Sequence, residues 1–396
     1  MAPALGPAFV AAIAYADPGN FAANITAGSS SGYLLVWVVL VSNLMAMLIQ
    51  YVSAKTGIAT GRSLPDLCRR HFRRPVVLGL WVQAELVVMA TDLAEVLGGA
   101  LALQLLFGLP LVVGGIVSAA VAVALLGLRS RGHRPFETVI IALLGVILLG
   151  LVCSLIAGGL DVGGIVSGTV PRLHGPDTLL LATAMLGATV MPHAIYAHSA
   201  LTRDRYRRDT EQQRRALLRG QRVDVGAAMA VAGLVNLAML VVAARVMSGD
   251  ASGVVTIQAA HQRLGSTLGA AAALGFALAL LASGVAASSV GTYAGQVVMG
   301  GFVGRRIPLV LRRLVTLVPA LIVLAVGVDP THALVLSQVV LSFGIPFALV
   351  PLVILSRRAD VMGALVNRRS TTMALALAAA AIICLNGQLV GAAMGL

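Results

Sequence analysis

Two short stretches, each inside a long apolar segment, carry the residue types that could hold a metal ion: Asp17-Pro18-Gly19-Asn20 and Met191-Pro192-His193. Proline has no N–H to continue a helix and glycine tolerates non-helical dihedrals, so Pro18 with Gly19 predicts a break in the first segment and Pro192 one in the second. Unwound backbone at membrane depth survives only where it is buried in protein or lines a cavity. Its free carbonyls, the Asp17 carboxylate and the Asn20 amide oxygen would then converge on a cation. Oxygens alone would suit Mg²⁺ or Ca²⁺. The Met191 thioether is of no use to those hard ions and favours softer first-row metals such as Mn²⁺ and Fe²⁺. His193 supplies either a further ligand or a group that titrates near neutral pH.

A second set of groups lies on one segment. Glu85, Asp92 and Glu95 are spaced by seven and three residues, which on a helix places them on one face within about 80° of one another. A carboxylate at mid-bilayer costs about 2.5–3.5 kcal/mol on insertion scales, so such a stripe marks a partner or a pathway. Two readings stand: a proton or ion path, or a stripe paired with arginines that only holds helices together.

These residues need a membrane around them. The chain of 396 residues is 59% hydrophobic and 11% charged, against about 25% charged in globular proteins. Apolar windows near the bilayer-crossing length of about 20 residues recur at 4–27, 33–54, 76–107, 110–128, 137–158, 178–200, 224–247, 266–301, 308–327, 332–355 and 372–394. The third and eighth exceed a simple crossing and predict tilt or extension beyond the bilayer. With the N-terminus inside, all but three of the 28 basic residues (Arg172, Arg245 and Arg263) fall in cytoplasmic loops. The positive-inside rule therefore supports eleven spans, N-terminus in and C-terminus out. The charge of +13 is thus a topology signal, and nucleic acid is excluded as its partner. Ala14-Tyr15-Ala16 could also be read as a signal-peptide cleavage site, but no Lys or Arg precedes it and cleavage would scramble the alternation. Cys68, Cys153 and Cys384 are far apart, give neither a disulfide framework nor a thiolate site, and read as small packing residues. Residues 203–222, rich in arginine, predict a short amphipathic helix on the cytoplasmic surface, touching anionic lipid or serving gating.

Taken alone, Met191-Pro192-His193 could be a proline kink with a packing methionine. Its position argues for more: it lies in the first span of a second five-span unit, as Asp17-Pro18-Gly19-Asn20 lies in the first span of the first. Two units of five spans must be oppositely oriented, and paired interrupted helices in inverted repeats point to a transporter site at the midplane.

At these residues the sequence resembles the Nramp divalent metal transporters, its bacterial manganese-transporting members most of all. The likeness runs over essentially the whole chain, through Thr91-Asp92-Leu93-Ala94-Glu95, Leu311-Arg312-Arg313-Leu314 and Leu336-Ser337-Gln338-Val339. It implies an all-α polytopic membrane protein of the leucine-transporter-type fold. Eleven transmembrane helices would form one integral domain over 1–396: a first repeat over 1–158, an inverted second repeat over 178–355, and an added helix at 372–394, with helices 1 and 6 unwound at mid-membrane. It further implies proton-coupled import of Mn²⁺, Fe²⁺ and similar ions across the bacterial inner membrane by a monomer, with no permanently bound cofactor. By matching motif, Asp17, Asn20 and Met191 would be side-chain ligands, the Ala14 and Ala188 carbonyls would contribute in different states, and Gln338 in occluded ones. Asp17 would take the first proton, with His193, Glu95 and Asp92 continuing the route through Arg312, Arg313 and Glu85. Asn236, Pro18, Gly19 and Pro192 would serve gating. Relatives that move Mg²⁺ or Al³⁺ lack the methionine. The first span begins almost at Met1, the one unusual feature.

Two other readings compete with this one. A proton- or sodium-coupled amino-acid transporter of the same fold would need glycine-lined room for a substrate carboxylate, which Asp17 would repel. An intramembrane aspartyl protease would need two aspartates in suitable motifs on facing helices, and only Asp17 and Asp92 lie deep enough.

Overall fold

The computed structural model describes residues 6–127, 133–206, 210–247, 256–305 and 307–395, and among these there is no strand. The chain opens with α1 (Pro7–Ala12), a 3-10 turn (Ile13–Ala16) and α2 (Pro18–Ser31). Next come α3 (Val36–Thr60), α4 (Leu64–His71), α5 (Arg74–Phe107), α6 (Leu111–Gly127), α7 (His133–Gly158) and the short α8 (Val162–Ser167). The second half repeats the opening device with α9 (Gly175–Thr189) and α10 (Pro192–Arg205), followed by α11 (Glu211–Met247) and α12 (Ile257–Leu268). Then α13 (Ala270–Val298) closes in a π-turn (Met299–Val303), and α14 (Leu309–Val326), α15 (Pro330–Ser356), α16 (Ala359–Met362) and α17 (Arg369–Ala393) complete the chain.

Eight of the described helices, counting α9–α10 and α13 with its π-turn as one each, have the length and hydropathy of a bilayer crossing; α1 with its 3-10 turn and α6 are shorter apolar helices. Large apolar side chains such as Leu44, Leu86, Ile156, Val326 and Leu377 lie exposed along these helices. A soluble protein would not leave so much contiguous apolar surface open; hydrocarbon covers it here. Inside, α5 packs against α13 and α15, α2 against α11, and α9 against α15, around one buried core. A small second cluster of Ile58, Ala59, Leu218, Met362 and Leu365 sits at the arginine-rich end.

Three sequence expectations change. The eighth window, 266–301, is two elements: Gly269 takes φ +94°, which only glycine adopts without strain, and separates α12 from α13. The third window, by contrast, is one uninterrupted helix of 34 residues, which keeps its length beyond a simple crossing. The amphipathic segment in 203–222 is not a separate helix, because from Glu211 onward it is the first three turns of α11, with Leu218 buried in the second cluster; residues 207–209 lie outside the described set. Of the three cysteines only Cys68 is packed inside, while Cys153 and Cys384 are exposed on apolar helices.

Candidate metal site between two helix breaks

Both breaks are built the same way. Asp17 leaves the helical region (φ −77°, ψ 168°) and N-caps α2, with Pro18 at its first turn. Met191 (φ −74°, ψ 121°) stands in the same relation to α10, with Pro192 at its first turn. Proline at the start of a helix loses no bond there and presets φ, so the prolines begin the second half-helix and the residue before each carries the extended backbone. Gly19 corrects an expectation: it is helical with no positive φ. Its smallness is what the site uses, since a Cβ there would lie 1.8 Å from Gln338 Nε2.

The first break is held by its own side chains. Asp17 Oδ1 accepts from the Asn20 backbone N–H and from Asn20 Nδ2, both at 2.8 Å. Asn20 Nδ2 also donates to the Ala188 carbonyl at 2.9 Å, which ties α2 to the last turn of α9. The Ala188 oxygen is therefore engaged in this conformation, while Ala14 lies inside the 3-10 turn. Asn236 on α11 donates to the Tyr15 carbonyl at 3.0 Å and accepts from Asn24 at 3.2 Å. The Ser283 hydroxyl on α13 donates to the Ala16 carbonyl at 2.6 Å.

Asp17 Oδ2, Asn20 Oδ1, Gln338 Oε1, His193 Nε2 and Glu95 Oε2 are buried with no hydrogen-bond partner among the described residues. An unpaired buried polar atom costs about 1–3 kcal/mol, so their grouping around two helix breaks calls for a ligand. Asp17, Asn20, Met191 and Gln338 are each fully buried, and loading such a site requires the helices to move. No cluster of three His, Cys, Asp or Glu occurs among the described residues. The candidate set of one carboxylate, two amides and a thioether is a different kind of site.

The acidic stripe on α5 meets α14. Glu85 accepts from Arg312 Nη2 at 2.7 Å and from Trp81 Nε1 at 3.2 Å. Asp92 pairs with Arg313 at 2.9 Å, both buried, and Arg313 also reaches the Ser288 hydroxyl. Thr91 Oγ1 lies 3.2 Å from His193 Nδ1, joining the stripe to the second break. Two of the three acids are thus ion-paired, and Glu95 keeps an unpartnered oxygen.

Sequence reasoning missed a buried polar chain on the arginine-rich side. Gln50 Nε2 donates to the Tyr15 hydroxyl, Gln50 Oε1 accepts from His198 Nδ1 at 2.8 Å, and Gln221 Nε2 lies 3.4 Å from His198 Nε2. Gln221 then donates to Asp224 at 3.1 Å, and Asp224 accepts the Gly6 and Ala8 N–H groups at 3.1 and 3.0 Å. Asp224 is in effect the N-cap of α1, supplied by α11. Its members come from four separate spans, and no spacing in the sequence links them.

A family profile described as natural resistance-associated macrophage protein-like (Nramp) matches residues 8–392. The chain belongs to the Nramp family. This Nramp chain is 52% identical over 394 residues to a divalent metal cation transporter of Deinococcus radiodurans, covering 99% of itself and 90% of that relative. It superposes on the manganese transporter of Eremococcus coleocola with a TM-score of 0.84 at 31% identity, over 97% of this chain and 85% of that one. Its fold is also that of MHP1, a nucleobase-cation-symport-1 family transporter (TM-score 0.63, 16% identity, 98% of this chain and 90% of that one). Nramp is a family of metal-ion transporters and not of enzymes, so the protease reading falls.

Proposed function

We propose that this Nramp protein imports divalent transition metals, Mn²⁺ and Fe²⁺ among them, into the cytoplasm by alternating access coupled to protons. The observation that carries the reading is the pair of unpartnered, buried oxygens Asp17 Oδ2 and Asn20 Oδ1 beside the Asn20–Ala188 bond that joins the two breaks. Metal is the cargo. Asp17, Asn20, Met191 and in occluded states Gln338 hold it, with the Ala14 and Ala188 carbonyls exchanging partners as the half-helices tilt. Breaking the Asn20–Ala188 bond is what releases the Ala188 oxygen for this use. The same reading takes eleven crossings in a 5+5 inverted repeat plus a last helix, N-terminus in the cytoplasm and C-terminus outside, working as a monomer in the inner membrane.

For protons, Asp17 accepts first and His193, Glu95 and Asp92 continue the route, with Arg313, Arg312 and Glu85 at its far end. The Thr91–His193 contact and the open valence of Glu95 support a route over a purely structural stripe. Uptake of Mn²⁺ into proteoliposomes, with a competition panel and an internal pH dye, tests both halves. Asp17→Ala should abolish uptake; wild-type rates in that variant would end the site assignment. Metal entry with no accompanying internal acidification would remove proton coupling and leave the stripe a structural brace. Amino-acid uptake in place of metal uptake would favour the runner-up transporter.

A further inference from the structure

A cavity of about 650 Å³ lies on the arginine-rich side, away from the metal site. Its wall comes from α4, the end of α10, the π-turn after α13 and the start of α14, and includes Arg69, Arg203, Arg305 and Arg312. Its acids are Asp66 and Asp204, and both are already saturated. Asp66 faces three guanidiniums, Arg62 at 3.4 Å, Arg69 at 2.9 Å and Arg70 at 3.6 Å. Asp204 holds Arg203 at 2.7 Å and accepts from the Tyr293 hydroxyl at 3.2 Å. Arg305 has no ion-pair partner among the described residues. Four arginines therefore line the cavity against two carboxylates, or three when Glu85, bonded to Arg312, is counted.

Arg312 closes one wall of the cavity. Its side chain is 5% exposed and its two Nη groups are spent on Glu85, yet its Nε–H is buried without a partner. Helix α13 allows this: a Cβ at Gly295 would fall 2.3 Å from Arg312 Nη2, so the guanidinium lies flat against a glycine. Gly304, at φ +75°, gives Arg69 the same room, since a Cβ there would be 2.3 Å from Arg69 Nη1. Arginines bind tetrahedral oxyanions through paired N–H groups, and the volume is in the range of small-ligand sites.

We infer that this cavity is a binding site for a phosphate-class oxyanion, either a free phosphate or the headgroup of an anionic lipid, seated on Arg69 and Arg305 against the wall formed by Arg312. An occupant would lie beside the Arg312–Glu85 pair at the far end of the acidic stripe. The inference rests on the cavity and not on the transport reading, and its test measures binding.

The test uses the full chain in phosphatidylcholine nanodiscs and the variant Arg69→Gln/Arg305→Gln, which leaves Arg312 in place. Inorganic phosphate should raise the thermal midpoint of the wild type saturably, where chloride at equal ionic strength does not, and the variant should bind at least tenfold more weakly. In parallel, nanodiscs containing phosphatidylglycerol are examined by native mass spectrometry. Phosphatidylglycerol retained by the wild type, lost by the variant and not displaced by phosphate identifies the lipid as the source. Saturable phosphate binding that phosphatidylglycerol does not compete with identifies the free anion. If wild type and variant respond alike to both probes, the site does not exist. Unchanged Mn²⁺ uptake by the variant in phosphatidylcholine confirms that it is folded.

Discussion

Asn20 Nδ2 donates to the Ala188 carbonyl at 2.9 Å, so a side chain from the first helix break caps the frayed end of the helix before the second. The same amide group donates to Asp17 Oδ1, which leaves Asn20 Oδ1 and Asp17 Oδ2 as the two open valences between the breaks. One residue thus joins the two halves of the molecule and orients both oxygens offered to the cargo.

Met191→Ala should retain Mn²⁺ uptake while discrimination against Ca²⁺ falls by about tenfold, because removing sulfur leaves a set of hard oxygens. Competition uptake in vesicles reads this directly. Unchanged selectivity would mean that the thioether is packing and not a filter.

Gly98 faces the ring of Pro18, with a built Cβ only 2.0 Å from Pro18 Cβ. Unlike the flexible Gln338 amide opposite Gly19, a proline ring cannot rotate away. Gly98→Ala should therefore displace the start of α2 and cost about 1–3 kcal/mol, seen as a lower unfolding midpoint in detergent. A midpoint at the wild-type value would show that α2 moves freely there.

The Asp92–Arg313 pair is buried on both sides. Arg313→Gln alone should cost about 3–5 kcal/mol, because it strands a buried carboxylate. Adding Asp92→Asn should restore much of that stability, while metal-linked internal acidification stays low if Asp92 carries protons. Recovery of acidification in the double variant would separate Asp92 from the proton route.

Asn236→Ala removes one bond to the Tyr15 carbonyl and one from Asn24, at about 0.5–1.5 kcal/mol each. Mn²⁺ affinity by calorimetry should stay within a factor of a few while the uptake rate drops, since these bonds bind the break to α11 and do not include a ligand atom. A large loss of affinity with normal turnover would place Asn236 at the metal instead.

Asp224→Ala should release the first turn of α1, because it leaves the Gly6 and Ala8 N–H groups without their acceptor. A cysteine placed at Ala12 would then react faster with a thiol reagent applied from the arginine-rich side, in an assay with Cys68, Cys153 and Cys384 replaced. Equal reactivity with and without Asp224 would mean that other contacts hold α1 shut.

The sequence by itself determined the membrane, the helices and the two breaks. Composition, the recurrence of apolar windows and the placing of arginines are local quantities, readable without contacts. Asp17, Pro18, Met191 and Pro192 announce interruptions because proline chemistry acts within one turn. The acidic stripe was legible as a stripe, since helical periodicity alone puts Glu85, Asp92 and Glu95 on one face. Tertiary structure decided what each of these residues faces. Only packing shows that Glu85 and Asp92 meet Arg312 and Arg313 while Glu95 keeps an open oxygen. Only packing shows that Gly19 is there for the Gln338 amide and not for its dihedrals, and that Gln50, His198, Gln221 and Asp224 form one chain. Those relations join residues far apart in the sequence, and spacing along a chain carries no information about which helix faces which until the small residues have let the helices close.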